Sequence, residues 1–277
     1  MIPVLLLFVA GVVPETADDI MARVADNQNR AEEIRTAFVY HQDVLVRIKR
    51  TNGKLAREEY GEYTVTPTEK GTKRERTLFK GKYVDGGKEV EFHKPGYEHK
   101  NVDIDGDLAG SLLDSFGGDK KSRDGIDRDL FPLTSHQQRR YNFRLEGTEE
   151  YKGMPVYRIT FSPKKTPNIL DDDDNDESWK GEVLVHCHEY QPVLITTTLA
   201  AKIPLVVKTV LGTDIKHLGF KVTYQKFDEG VWFPVAYGGE FKVKALFFYS
   251  RNIGLSMHNS GFQKAHVDSK VTFAETK

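Results

Sequence analysis

His186 and His188 flank Cys187, and on a strand that spacing sends both imidazoles to one face and the thiol to the other. Paired imidazoles can begin a zinc or copper site, yet spacing supplies no third ligand, so no metal is expected. His41 and Asp43 form the kind of pair that orients a general base, but no Ser or Cys nucleophile lies at a spacing that reaches them. Both residues read as surface hydrogen-bonding groups. The acidic run from Asp171 to Asp174, extended by Asp176 and Glu177, offers calcium the side chains of Asp172, Asp174 and Asp176. An EF-hand loop starting there would need Gly and Glu where Glu177 and Val183 stand, so the run reads as a solvated hairpin tip. No glycine-rich phosphate loop, zinc-ligand spacing or G-x-S-x-G elbow occurs. The expectation is a non-enzyme with no catalytic residues, no cofactor and no metal.

Composition narrows the partners. The 277 residues carry 40 Lys and Arg against 41 Asp and Glu, a net charge of -1, which provides no global field for nucleic acid. The single cysteine rules out an intrachain disulfide framework, so stability must come from a buried core. Residues 2–13 are apolar except Pro3 and Gly11, too short a run to span a bilayer and similar to the h-region of a secretory signal. Residues 1–17 are therefore expected to be a signal peptide, although no basic residue precedes the apolar run. Export to the periplasm is expected, as a monomer that is not an integral membrane protein. The basic positions Lys70, Lys73, Arg74, Arg76, Lys80 and Lys82 read as charges guarding an exposed strand.

The elements that must position these residues are mostly strands. Thr16 is a fitting N-cap with Asp19 three positions on, and Ile20, Val24, Ala31 and Ile34 continue at helical spacing to about Arg35. From Ala37 the period changes to two: Phe38, Tyr40, Val44, Val46 and Ile48 share a face. Asn52-Gly53 predicts a type I′ hairpin turn. Strands are expected over 55–65 and 73–83, then 89–92 after the Asp85-Gly86-Gly87 turn. Residues 93–140 lose the alternation and read as an insertion with one short helix carrying Leu108, Leu112, Leu113 and Phe116. Strands resume at 141–145 and 156–161, with a turn at 147–153, and continue at 179–187 and 193–199. A second short helix is expected between 199 and 212, carrying Ile203, Val206, Val207, Val210 and Leu211, with Pro204 in its first turn. Two long alternating runs follow, Leu218 to Tyr224 and Phe241 to Tyr249, joined through Asp228-Glu229-Gly230-Val231-Trp232-Phe233-Pro234. A last strand is expected through Ala265, Val267, Val271 and Phe273.

The order of helix and meander, with the Pro-containing turns Glu189-Tyr190-Gln191-Pro192-Val193 and Asp228 to Pro234, resembles the LolA/LolB-like outer-membrane lipoprotein-sorting superfamily over about Thr16 to Phe273. The resemblance is to an uncharacterised exported branch. Residues 181–193 look like the family's strand-turn-strand passage, with His186 where an Asp is common. The resemblance implies an incomplete antiparallel barrel curled around a helical plug, whose apolar interior receives the acyl chains of a lipoprotein or another lipid.

The chain is thus expected to be mainly β: one large curved antiparallel sheet, or half-open barrel, of about ten or eleven strands around an N-terminal helix, with short lid helices in loops. Residues 18–277 are expected to form one domain. An apolar inner face must be covered by helices or ligand. The candidate binding residues are Val44, Val46, Phe220, Val222, Phe241, Val243 and Phe247 on the sheet, with Leu112, Phe116, Ile203, Val207 and Leu211 on the lids. The expected partners are lipid or lipoprotein acyl chains and an envelope protein. A non-catalytic envelope scaffold whose barrel is filled by its own side chains is the alternative.

Overall fold

The computed structural model describes residues 15–68, 71–115, 122–125, 131–165, 179–200, 214–216, 219–227, 230–245 and 248–265. Helix α1, Ala17–Arg35, begins at a capping box in which the Thr16 and Asp19 side chains each accept from the other's backbone N–H, as their spacing predicts. Its buried positions Ala17, Ile20, Met21, Val24, Ala25, Gln28, Ala31 and Arg35 form one stripe at helical spacing.

The strands are β1 Phe38–Arg50, β2 Leu55–Thr68, β3 Gly71–Asp85, β4 Lys88–Phe92, β5 Tyr141–Tyr151, β6 Met154–Pro163, β7 Trp179–His186, β8 Pro192–Leu199, β9 Asp214–Lys216, β10 Lys221–Lys226, β11 Trp232–Ala245 and β12 Tyr249–Lys264. They form one open, unclosed antiparallel sheet in the order β4-β3-β2-β1-β12-β11-β10-β8-β7-β6-β5, with β9 pairing to β11. The chain lays β1 to β4 toward one edge, crosses to the opposite edge at β5, works inward to β8, and fills the middle with β10 to β12. Two further helices, α2 Ile104–Ser115 and the single turn α3 Ser135–Gln138, lie in the crossing segment.

The first strand alternates as its sequence predicts, with Phe38, Tyr40, Gln42, Val44, Val46 and Ile48 buried. Its hairpin differs from expectation. Only Gly53 takes positive φ (82°), its N–H bonding the Arg50 carbonyl while the Arg50 N–H bonds the Lys54 carbonyl. Three residues therefore make the loop and the glycine makes a bulge, a geometry that leaves Asn52 in an ordinary conformation. The turn expected at 147–153 shrinks to Lys152-Gly153, both at positive φ, because Gly147 sits inside β5 at a bulge opposite Arg158.

The largest departure is at the C-terminal end. The return strand after Trp232 starts at Trp232 itself: β11 pairs its first half with β10 and its second half, Lys242 to Lys244, with β9. Tyr249 opens a separate strand, β12, which pairs with both β1 and β11 over residues 251–258 and with β1 alone beyond them. Its sequence, rich in Asn, Ser and Gly, hides the strand from propensity, yet Ile253, Leu255, Met257 and Asn259 are buried on alternate positions. The strand expected through 267–273 lies outside the described residues.

Both helices cover the same face. Phe220, just ahead of β10, and Val222 and Tyr224 within it are buried on alternate positions, but Phe220 joins the apolar cluster under α2 and the other two join the cluster under α1. The α1 cluster unites Ile20, Met21 and Val24 with Val156, Ile159, Val183, Val185, Val193, Ile195 and Trp232. The α2 cluster unites Ala109 and Leu113 with Val44, Val46, Ile48, Phe79, Ile253, Leu255 and Met257.

Close backbone approach marks β7. A Cβ on Gly181 would lie 2.0 Å from the Thr196 carbonyl oxygen and 2.9 Å from the Thr197 Cα. These are main-chain atoms of the neighbouring strand and cannot rotate away. Gly181→Ala is expected to destabilise the protein by about 1–3 kcal/mol, read as a lower urea midpoint at unchanged slope.

Candidate functional site

Helix α2 is a cover tied down at its ends by charge. Asp103, immediately before it, accepts the Gly106 backbone N–H at 3.0 Å, the His99 Nδ1 at 2.8 Å and the Arg57 Nη1 at 2.8 Å. Asp105, in the first turn, accepts the Tyr249 hydroxyl at 2.9 Å and the Arg251 Nε at 2.9 Å. Near the other end Asp114 pairs with Arg76 at 2.9 Å. Three acids thus bind α2 to β2, β12 and β3. Acids beside the N-terminus also answer the helix dipole.

Arg57 is the centre of this arrangement. Its side chain is 1% exposed and on the inner face of β2, where its Nε meets Glu59 Oε1 at 2.7 Å and its Nη2 donates to the Tyr97 carbonyl at 2.6 Å. The guanidinium lies 4.6 Å from the centre of the Phe92 ring. Tyr83 stacks on His99 at 4.5 Å and Phe92 stacks on Tyr97 at 5.0 Å, so an aromatic shell shields the charges from water. Burial pushes the Glu59 carboxyl above the usual carboxylate range, outweighing the hydrogen bond and charge of Arg57. Burial acts the same way on Asp103, but there the hydrogen bonds from His99 and Gly106 and the charge of Arg57 prevail and hold it below that range.

The middle of α2 lays a narrow apolar stripe on the sheet. Ala109 and Leu113 are buried, whereas Leu108 and Leu112 are half-buried beside the cluster, together with Trp179, Tyr237, Phe241 and Val243. Of the expected binding residues, Val44, Val46 and Val222 have no exposed surface and Phe220 is 8% exposed. Phe241, Val243 and Leu112 form part of the half-buried margin. Phe116, Ile203, Val207, Leu211 and Phe247 lie outside the described residues. A cavity of about 750 Å³ opens on the opposite face, over β1, β12 and β11, lined by Leu45, Arg47, Lys49, Lys242, Asn252 and Ser256 among others.

The two Pro-containing turns meet. Glu189 of the first accepts the Trp232 Nε1–H of the second at 2.9 Å and the Lys226 ammonium at 2.9 Å, while Asn27 of α1 donates to the Glu189 carbonyl at 2.8 Å. The residues spaced for metal chemistry do other work. Strand β7 ends at His186, so His188 lies in the turn, and the His186 Nδ1 accepts the backbone N–H groups of His188 and Glu189 at 3.3 and 3.2 Å. Burial, with the charge of Glu15, raises the Cys187 thiol above its ordinary value, which favours the protonated form. Among the described residues no group of three His, Cys, Asp or Glu side chains could hold a metal ion. The acidic run at 171–177 lies outside them.

Sequence reading missed the Arg57 cluster. The available signal was parity: Arg57 and Glu59 stand in phase with Tyr63 and Val65, the buried face of β2.

The fold is an open antiparallel sheet with its N-terminal helix laid on the inner face. No family model matches the chain, and no curated protein matches it. Solved structures do. A DUF1329 family protein from Desulfovibrio piger ATCC 29098 is 10% identical, with 94% of this chain and 96% of that one covered and a TM-score of 0.39. A LolA superfamily protein from Nitrosomonas europaea is 11% identical, covering 94% and 99%, with a TM-score of 0.34. A putative outer membrane lipoprotein-sorting protein domain from Vibrio parahaemolyticus is 9% identical, covering 91% and 95%, with a TM-score of 0.37. Likenesses this distant speak to neither ligand nor partner.

Proposed function

We propose that this is an exported cell-envelope protein that receives an acyl chain of a lipid or lipoprotein between the inner face of its sheet and α2. The observation that supports it is the half-buried apolar margin of Leu108, Leu112, Trp179, Phe241 and Val243, beside a cover that is ion-paired at its ends. Each methylene of a chain entering there would gain about 0.8 kcal/mol. No catalysis is part of this reading; the site acts by burial alone. The apolar run at residues 2–13 serves as an export signal, and the remainder acts in the periplasm as a single monomeric domain. Among the described residues no helix is long and apolar enough to cross a membrane.

The complete burial of Val44, Val46 and Val222 favours a second reading, in which the inner face is filled by the protein's own side chains and the molecule is an interaction scaffold. One experiment separates the two. Delipidated protein is expected to take up a fluorescent fatty acid in detergent-free buffer, and Leu112→Asp or Phe241→Asp to weaken that uptake by at least about tenfold, the loss of one buried apolar side chain. Absence of uptake by the unaltered protein would establish the scaffold instead.

A further inference from the structure

The connection from β11 to β12 has a sequence unlike that of a solvent turn. Ala245 pairs with Tyr249, so the connection is three residues, which in sequence are Leu246, Phe247 and Phe248. None is Gly, Pro, Asn, Asp or Ser, the residues that normally make turns. Phe248 is 75% exposed, the largest exposure of any bulky apolar side chain among the described residues. Val102, which is 68% exposed, stands just ahead of α2, and α2 is bound to this end of β12 through Asp105, Tyr249 and Arg251.

Cations surround the same end. Across the strands, Arg50 faces Arg251, Lys49 faces Asn252, Asn252 faces Lys242, and Lys244 faces Ser250. Lys54 lies in the adjoining β1–β2 turn. Arg50, Lys54 and Lys244 are exposed, while Arg251 is already answered by Asp105. In backbone register, Asp214 and Lys216 of β9 stand across from Lys244 and Lys242, and Asp85 across from Lys88.

We infer that this end of the sheet docks on an anionic membrane surface, with Phe248 entering the boundary between headgroups and acyl chains and Arg50, Lys54 and Lys244 lying against the headgroups. An apolar tip ringed by long basic side chains is suited to a lipid interface, where stems lie along hydrocarbon and charges reach phosphate. It suits a protein partner poorly, because stable protein interfaces bury about 800 Å² a side and are depleted in Lys. The inference rests on different residues from the acyl-chain reading and holds or fails without it.

The test is flotation of the purified protein, without added fatty acid, with vesicles of phosphatidylcholine alone or of phosphatidylcholine and phosphatidylglycerol. The protein is expected to float with the phosphatidylglycerol vesicles and to be released by salt. Phe248→Ser should reduce its partition at least about tenfold, and Lys54→Glu with Lys244→Glu about fivefold per cation. These side chains are exposed, so an unchanged melting temperature should accompany both losses. Unaltered protein that stays in solvent overturns the proposal, as does either variant that floats as before. Capture of a protein partner through Phe248 with no vesicle binding also overturns it. Fatty-acid uptake is measured without vesicles, so failure there leaves this result intact.

Discussion

Arg57→Ala is expected to destabilise the protein by about 3–5 kcal/mol, the effect of removing one partner from a buried charge cluster. Arg57 is the cation shared by Glu59 and Asp103, at 2.7 and 2.8 Å, and all three side chains are 1% exposed. Without it two carboxylates face each other in an aromatic shell, and α2 loses the contact that holds its first turn to β2. Urea unfolding measures the loss. Its dependence on pH carries a second signature with opposite signs. Asp103, held low in the folded protein, contributes stability above its unfolded pKa that disappears as pH falls through the folded value. Glu59, held high, contributes stability below its unfolded pKa that disappears as pH rises through the folded value. Removing Arg57 raises both carboxyls, so the variant should recover part of its deficit in mild acid. A deficit that stays constant from neutral to acid pH would refute this account of the cluster. Substitution by Met, which keeps the packing against Phe92, should cost nearly as much as Ala, because charge rather than volume is what the site lacks.

Arg35→Ala is expected to have a loss of similar size, about 3–5 kcal/mol, by a different route. Arg35 closes the last turn of α1, and both it and Asp124 have fully buried side chains. The guanidinium donates to Asp124 Oδ2 at 2.9 Å and to the Trp232 carbonyl at 3.2 Å, while Ser122 Oγ donates to the other carboxylate oxygen at 2.6 Å. One side chain thus ties the helix to the start of β11 and to the crossing segment. Asp124→Ala should cost nearly as much, since each single change strands the other charge. The double variant should cost clearly less than the two summed, a coupling of at least about 1 kcal/mol for groups in one network. Additive losses in that cycle would show that the pair is spatial only.

The two clusters illustrate what local pattern conveys. Helix α1, its cap at Thr16 and the faces of β1 were legible because each is set within a few residues: a capping box spans Thr16 to Asp19, and alternation alone separates Val44 and Val46 from His41 and Asp43. Strand β12 was not legible, because Asn252, Gly254, Ser256 and Asn259 give no β signal by themselves. Its strand character comes from pairing to β1 on one side and β11 on the other, both together over residues 251–258. In the candidate site, Leu112, Phe241 and Val243 could be named from alternation. That they stand half-buried at the edge of a cover could not, since exposure depends on how far α2 reaches across the sheet.

The amino-acid order by itself determined a mainly β chain with one N-terminal helix, a helix near Leu112, and which face of most strands is apolar, since each follows from contacts or periods only a few residues long. The tertiary structure alone decided the insertion of β12 into the middle of the sheet, the binding of Arg57 to Asp103 across 46 positions, and that of Arg35 to Asp124 across 89. Such partners are chosen by where the folded sheet places them and by the need to pair a charge once water is excluded, a requirement that no local pattern encodes.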